Sequence, residues 1–181
     1  MRMIKIAITR PGVVGREVDR IKYLLANDVD FVHLRKPDVG VEYCVELLEQ
    51  LTSSERGRVV VHDHYSLYEE FTLRGVHLNR NISELPAHYS GSRTRSCHSF
   101  EEVLRYRDEC DYLFLSPLFD SISKHGYRSA FTHEELLEAS RRGIIDKRVI
   151  ALGGVSPERF AYLEELSFGG VAMVGALWGE E

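Results

Sequence analysis

Residues 148–175 read RVIALGGVSPERFAYLEELSFGGVAMVG, and the order of their parts decides the fold. An apolar run at 148–152, rich in β-branched residues, ends in Gly153-Gly154. Ser156 then offers an N-cap and Pro157 the first helical position, and the stretch 156–166 carries an apolar stripe at helical spacing. A second apolar run follows at 169–174. Both runs are apolar at nearly every position, as expected of parallel strands covered on both faces. The unit is therefore strand–helix–strand.

Working outward, the same rhythm recurs along the chain. Short apolar runs lie at 3–9, 30–35, 58–62, 75–78 and 111–116, with a more polar candidate at 92–97, which brings the expected strands to eight. Val41, Cys44, Val45, Leu48 and Leu51 form one helical stripe within 41–52. Thr132 and Glu135 have the spacing of a capping box at the start of a helix over 132–142. Alternation of this kind predicts an α/β protein. Eight repeats predict a (β/α)8 barrel occupying residues 1–181 as one domain, although about 250 residues is usual for that fold. An open doubly wound sheet is the alternative, and it would use fewer strands. At 92–97, Ser92, Thr94 and Ser96 are expected to face a narrow interior while Arg93 and Arg95 reach outward. A closing eighth helix is expected to be absent or to lie beyond Glu181.

Composition narrows the function classes. The chain has 181 residues, 44% of them hydrophobic, and a formal net charge of -5, which argues against a general nucleic-acid binder. No apolar run approaches the ~20 residues needed to cross a membrane. Three cysteines, Cys44, Cys97 and Cys110, have no CxxC spacing and fit reduced thiols in a cytoplasm. A homo-oligomer is compatible with all of this.

In a barrel, chemistry belongs at the C-terminal ends of the strands. Those ends carry His33-Leu34-Arg35-Lys36, His62-Asp63-His64, His77, Ser96-Cys97-His98, Ser116-Pro117, Gly153-Gly154 and Gly175-Ala176. The glycine pairs free backbone N–H groups to approach a phosphate ahead of a capped helix. Ser121, Ser123 and Lys124 join an ammonium to two hydroxyls, the composition of an anion clamp or lid. His62 and His64, two apart, would share a strand face and suit a transition metal, with His33, His77 or His98 as a further ligand.

The chain resembles the thiamine phosphate synthase/TenI superfamily. The resemblance rests on DFVHLRK at 30–36, GVHL at 75–78, SCHSFEEV at 96–103, CDYLFLSPLFDSISK at 110–124, VIALGGVSPER at 149–159 and GGVAMVGAL at 169–177. It implies a (β/α)8 barrel. Synthases of this family join a pyrimidine methyl pyrophosphate to a thiazole phosphate with Mg²⁺ and release pyrophosphate. By position, Arg35 matches the pyrophosphate arginine and Asp63 one Mg²⁺ aspartate. Ser121, Ser123 and Lys124 match the Thr-x-Thr-Lys grip, and Ser96 matches a serine near the reacting groups. Gly153, Gly154, Gly175 and Ala176 match the phosphate cradle.

Departures shift the expected reaction. His33 replaces a glutamine, Pro37 a lysine and His62 an asparagine, and Ile82 stands where a second aspartate is usual. One lost carboxylate weakens a hard oxygen-liganded cation. Lys36, one residue early, points the other way along the strand and does not replace the lysine. TenI-like members carry His-x-Arg as here, and some are thiazole tautomerases that need no metal. The first expectation is therefore proton transfer on a thiazole phosphate. His98 would act as acid/base, Arg35 and Lys124 would neutralise substrate charge, and His33 would line the ligand site. A Mg²⁺-dependent synthase is the alternative, and a non-catalytic phospho-ligand-binding or regulatory protein the third reading.

Overall fold

The computed structural model of the chain describes residues 2–79, 84–119 and 130–178. Among these are eight strands: β1 (Ile4–Ile8), β2 (Phe31–Leu34), β3 (Val59–Val61), β4 (Gly75–Leu78), β5 (Ser92–Cys97), β6 (Tyr112–Leu115), β7 (Val149–Leu152) and β8 (Gly170–Met173). Each pairs in parallel with the next, and β8 returns to β1 through Ile4↔Gly170 and Ile6↔Ala172, closing the barrel. That closure excludes the open sheet. Between the strands run α1 (Glu17–Asn27), α2 (Val41–Glu49), α3 (Ser53–Arg56), α4 (Ser66–Phe71), α5 (Phe100–Tyr106), α6 (His133–Arg141) and α7 (Phe160–Glu165).

Local chemistry explains several boundaries. The Thr132–Glu135 capping box forms in both directions and starts α6, as its spacing predicts. Thr52 and Glu55 do the same for α3, and the Ser99 hydroxyl accepts from Glu102 N–H at α5. The expected helix over 156–166 differs. It opens as a 3-10 turn at Pro157–Arg159, where Arg159 N–H donates to Ser156 O at 3.0 Å, and the Ser156 side chain makes no cap bond.

The strands alternate between two cores. Outward-facing residues such as Ala7, Val32, Val61, Val76, Leu115 and Val171 pack against the helices in the larger cluster. Inside the barrel, Ile6, Ile8, Tyr112, Phe114, Ile150 and Ala172 form the smaller one. The apolar half of the interior comes from β1, β6, β7 and β8. The opposite half, from β2 to β5, is polar and holds His33, His62, His77 and Thr94, all buried. On β5, Thr94 and Ser96 face inward and bond His77. Arg95 lies 4.3 Å over the Tyr106 ring and Arg93 5.5 Å over Tyr89, the outward arrangement expected from the alternation. No helix among the described residues is long and apolar enough to cross a membrane.

Candidate functional site

Three imidazoles project from adjacent strands into the barrel. Val61 pairs with Val76, so His62 and His77, one residue further on, sit side by side. Their rings stack at 4.0 Å with planes 10° apart. His33 closes the group, its Nδ1 lying 2.8 Å from His62 Nε2 and its Nε2 2.7 Å from the Tyr112 hydroxyl. His77 bonds Thr94 Oγ1 through Nδ1 at 2.8 Å and Ser96 Oγ through Nε2 at 3.1 Å. Burial strips water from all three rings and so holds them neutral. It lowers His33 and His62 well below the usual imidazole range and His77 to about 3, with neighbouring arginines adding to each effect. Burial likewise raises the Tyr112 phenol, so its hydroxyl stays protonated.

The mouth lies above this layer. Arg35, one residue past β2, is exposed, while its backbone is clamped by Thr9: Arg35 N–H donates to Thr9 Oγ1 at 2.9 Å, and that hydroxyl donates to Arg35 O at 3.1 Å. Asp63 follows β3 and is half-buried, its Oδ2 accepting Lys36 N–H at 3.2 Å. Asn79 Nδ2–H donates to His62 O at 2.7 Å and braces the same rim. His98, past β5, is exposed. Its Nδ1 lies 2.9 Å from the Ser116 carbonyl, which can only accept, so Nδ1 carries the proton and Nε2 of the neutral ring is a base.

Lys36 turns away from the mouth, as its register requires. Its ammonium, 1% exposed, pairs with Glu17 Oε2 at 2.7 Å and donates to the carbonyls of Arg10 at 2.8 Å and Gly12 at 2.6 Å. The Tyr43 hydroxyl donates to the same carboxylate at 2.7 Å. This buried knot ties the loop after β1 to the loop that carries Arg35.

The turn after β7 fits a backbone cradle. Gly153 has φ 93 and Gly154 φ 62, conformations that favour glycine. A Cβ on Gly153 would stand 2.9 Å from Pro117 Cα, so the loops after β6 and β7 meet there with no room for a side chain. Gly153→Ala is expected to destabilise the protein by about 1–3 kcal/mol, read as a lower urea midpoint. Gly175 opens a 3-10 turn through Leu177 and faces open space. Trp178 Nε1–H donates to Ile8 O at 2.8 Å, and Arg20 Nε–H donates to Leu177 O at 2.8 Å, which hold that turn against β1 and α1.

Several expectations change in three dimensions. His64 has φ 57 and lies beyond β3, so it does not share the face of His62; the strand period ends at Val61. The interior partners of His62 are His33 and His77, and His98 is tied to Ser116 instead. His33, a candidate ligand contact, is 0% exposed with both ring nitrogens engaged. Ser96 reaches His77 from half-buried ground. Cys97 is fully buried among the helices, with its thiol pushed up to about 12, which leaves no reactive thiolate. Ser121, Ser123, Lys124 and Ile82 lie outside the described residues, as does the side chain of Ala176. Thr9 and Asn79, not among the expected site residues, also brace the rim. Their one signal in the sequence is a polar residue directly after an apolar run.

A hard Mg²⁺ ion takes oxygen donors, often one or two carboxylates plus substrate phosphates. Asp63 at the rim fits that requirement, and the interior histidines, as nitrogen donors, do not.

The family model described as thiamine monophosphate synthase (TMP-TENI) matches residues 6–177. A thiamine-phosphate synthase of Parasynechococcus marenigrum is 29% identical over 175 residues, covering 91% of this chain, which spans about half (49%) of that protein's length. One from Syntrophomonas wolfei is 25% identical, with 91% of this chain and 83% of that protein covered. The crystal structure of thiamine phosphate pyrophosphorylase from Bacteroides thetaiotaomicron superposes with a TM-score of 0.86 at 38% identity, covering 97% of this chain and 85% of that one. A Pyrococcus furiosus structure of the same description, at 18% identity and TM-score 0.75, shares the fold. With the closed barrel and a family match over nearly its whole length in agreement, the chain belongs to the thiamine monophosphate synthase family.

Proposed function

We propose that the protein is a thiamine phosphate synthase, joining a pyrimidine methyl pyrophosphate to a thiazole phosphate and releasing pyrophosphate. The observation that carries this reading is the 38% identity, over 97% of the chain, with a thiamine phosphate pyrophosphorylase. The rim chemistry supports it. Arg35 presents a guanidinium on a clamped backbone, suited to pyrophosphate oxygens. The Gly153–Gly154 turn and Gly175 offer backbone to the thiazole phosphate, with Ser96 near the reacting groups. Ser121, Ser123 and Lys124 keep their clamp role on the strength of their composition. Asp63 would hold Mg²⁺ together with substrate phosphate oxygens, and the ion would supply charge neutralisation at the leaving group.

One observation favours a second reading, proton transfer on a thiazole phosphate. The Nδ1–H bond of His98 to Ser116 O leaves an exposed Nε2 as a ready base. This is the tautomerase chemistry of TenI-like proteins, and it needs no metal.

Product formation from both synthase substrates, with Mg²⁺ and with chelator, separates the two. The expected result is Mg²⁺-dependent thiamine phosphate. Loss of one charge-assisted contact in Arg35→Ala should lower kcat/KM by about 10- to 100-fold, whereas His98→Ala should leave condensation largely intact. No product from protein that still binds thiazole phosphate would overturn the synthase reading and leave the tautomerase and a non-catalytic binding protein in contention.

A further inference from the structure

The polar half of the barrel interior holds more imidazole than packing requires. Other interior positions of this barrel carry Ile6, Ile8, Phe114 and Ile150, yet three successive strands contribute His33, His62 and His77. One nitrogen from each ring lies within 4.8 Å of the other two. We propose that these three side chains form a buried binding site for a transition-metal ion of the Zn²⁺ class, separate in position and chemistry from the Asp63 rim.

Three features support the assignment. One nitrogen of each ring faces the other two, and the proton shared between His33 Nδ1 and His62 Nε2 moves to an outer ring nitrogen as the ion enters. Two of them are held from behind. His33 Nε2 meets the Tyr112 hydroxyl at 2.7 Å and His77 Nδ1 meets Thr94 Oγ1 at 2.8 Å, the kind of outer partners that orient metal-binding histidines. These bonds leave His33 Nδ1, His62 Nε2 and His77 Nε2 as the donors. Finally, an all-nitrogen set favours Zn²⁺, Co²⁺, Ni²⁺ or Cu²⁺ over Mg²⁺ and Ca²⁺.

Charge defines what completes the site. The imidazoles are neutral, and the cations acting on them are Arg35, Arg74 and Arg95. A divalent ion there would keep its full charge, so the fourth position goes to an anionic oxygen, hydroxide or a phosphate oxygen entering from the mouth. Ser96 Oγ, 3.1 Å from His77 Nε2, stands beside that position. Binding replaces the direct His33–His62 hydrogen bond with two metal–nitrogen bonds and requires small rotations of the stacked rings.

The test is titration of chelator-treated, full-length protein with Co²⁺ followed by visible absorption, and equilibrium dialysis against Zn²⁺. The expected result is a single equivalent bound, with the absorption of a low-coordinate site, in wild type and in His64→Gln and His98→Gln. His33→Gln and His62→Gln should lose it. Tyr112→Phe, which keeps every ligand, should weaken affinity about 10- to 100-fold. Zn²⁺ should raise the wild-type Tm and leave that of His62→Gln unmoved, which serves where a variant folds poorly at higher temperature. No binding at excess metal, or undiminished binding in both His33→Gln and His62→Gln, would overturn the proposal. Either result stands apart from synthase activity, because the readout is metal binding without substrate.

Discussion

Lys36→Met is expected to destabilise the protein by about 3–5 kcal/mol, the cost of breaking a buried ion pair from one side. The Glu17 carboxylate is 0% exposed and, among the described residues, would keep the Tyr43 hydroxyl as its remaining side-chain partner. The carbonyls of Arg10 and Gly12 would also lose their donor. Urea unfolding with the two-state slope held constant measures the change. The double variant Lys36→Met/Glu17→Leu should recover much of the loss, because removing both charges removes the desolvation problem. A single variant within about 1 kcal/mol of wild type would show that the pair adds nothing beyond packing. The knot also sits under the loop carrying Arg35, so any residual activity of Lys36→Met should fall more than its stability alone explains.

Acid should unfold this barrel early, and the reason is the histidine layer. The imidazoles are depressed in the folded state, so between the folded and unfolded values the unfolded chain binds more protons. Stability is therefore fully present above about pH 6.5, the unfolded imidazole value, and is lost as pH falls below it. His77 alone, at about 3 when folded, should subtract about 2 kcal/mol between pH 7 and pH 5. His33 and His62 act in the same direction. Carboxylates held low by their caps, such as Glu55 and Glu135, begin to contribute only at lower pH. Urea midpoints at pH 7, 6 and 5 test this. A midpoint flat across that range would mean that the rings are hydrated or protonated in the native state. His77→Gln should flatten the curve by nearly one proton.

The architecture was readable because every strand announces itself locally. Apolar runs bounded by glycine or polar residues recur eight times, and even the polar run at 92–97 is a strand. Alternation told which of its residues face inward, since a period of two leaves no other choice once the arginines must reach outward. The rim was partly readable for the same reason: a polar residue just past an apolar run lies at the barrel's C-terminal end, and its register decides whether it faces the mouth, as Arg35 does, or turns away, as Lys36 does. The capping box at Thr132 was legible because it is a contact across three residues.

What failed did so where spacing stops carrying information. His62 and His64 look like a pair only if the strand period is carried three residues past Val61, to His64, where the backbone turns to φ 57. His33, His62 and His77 have no diagnostic spacing because they come from three strands, and only barrel closure with its register brings their rings together. In the sequence Lys36 stands as a misplaced ligand, whereas in the fold it pairs with Glu17, nineteen residues earlier in the chain, beneath the same loop. The sequence by itself determined the eight strand–helix units, the inward and outward faces and the polar strand ends, because these follow from local periodicity. Only the tertiary structure decided which polar groups are neutral, paired or exposed, because burial and partnership depend on strands far apart in the chain.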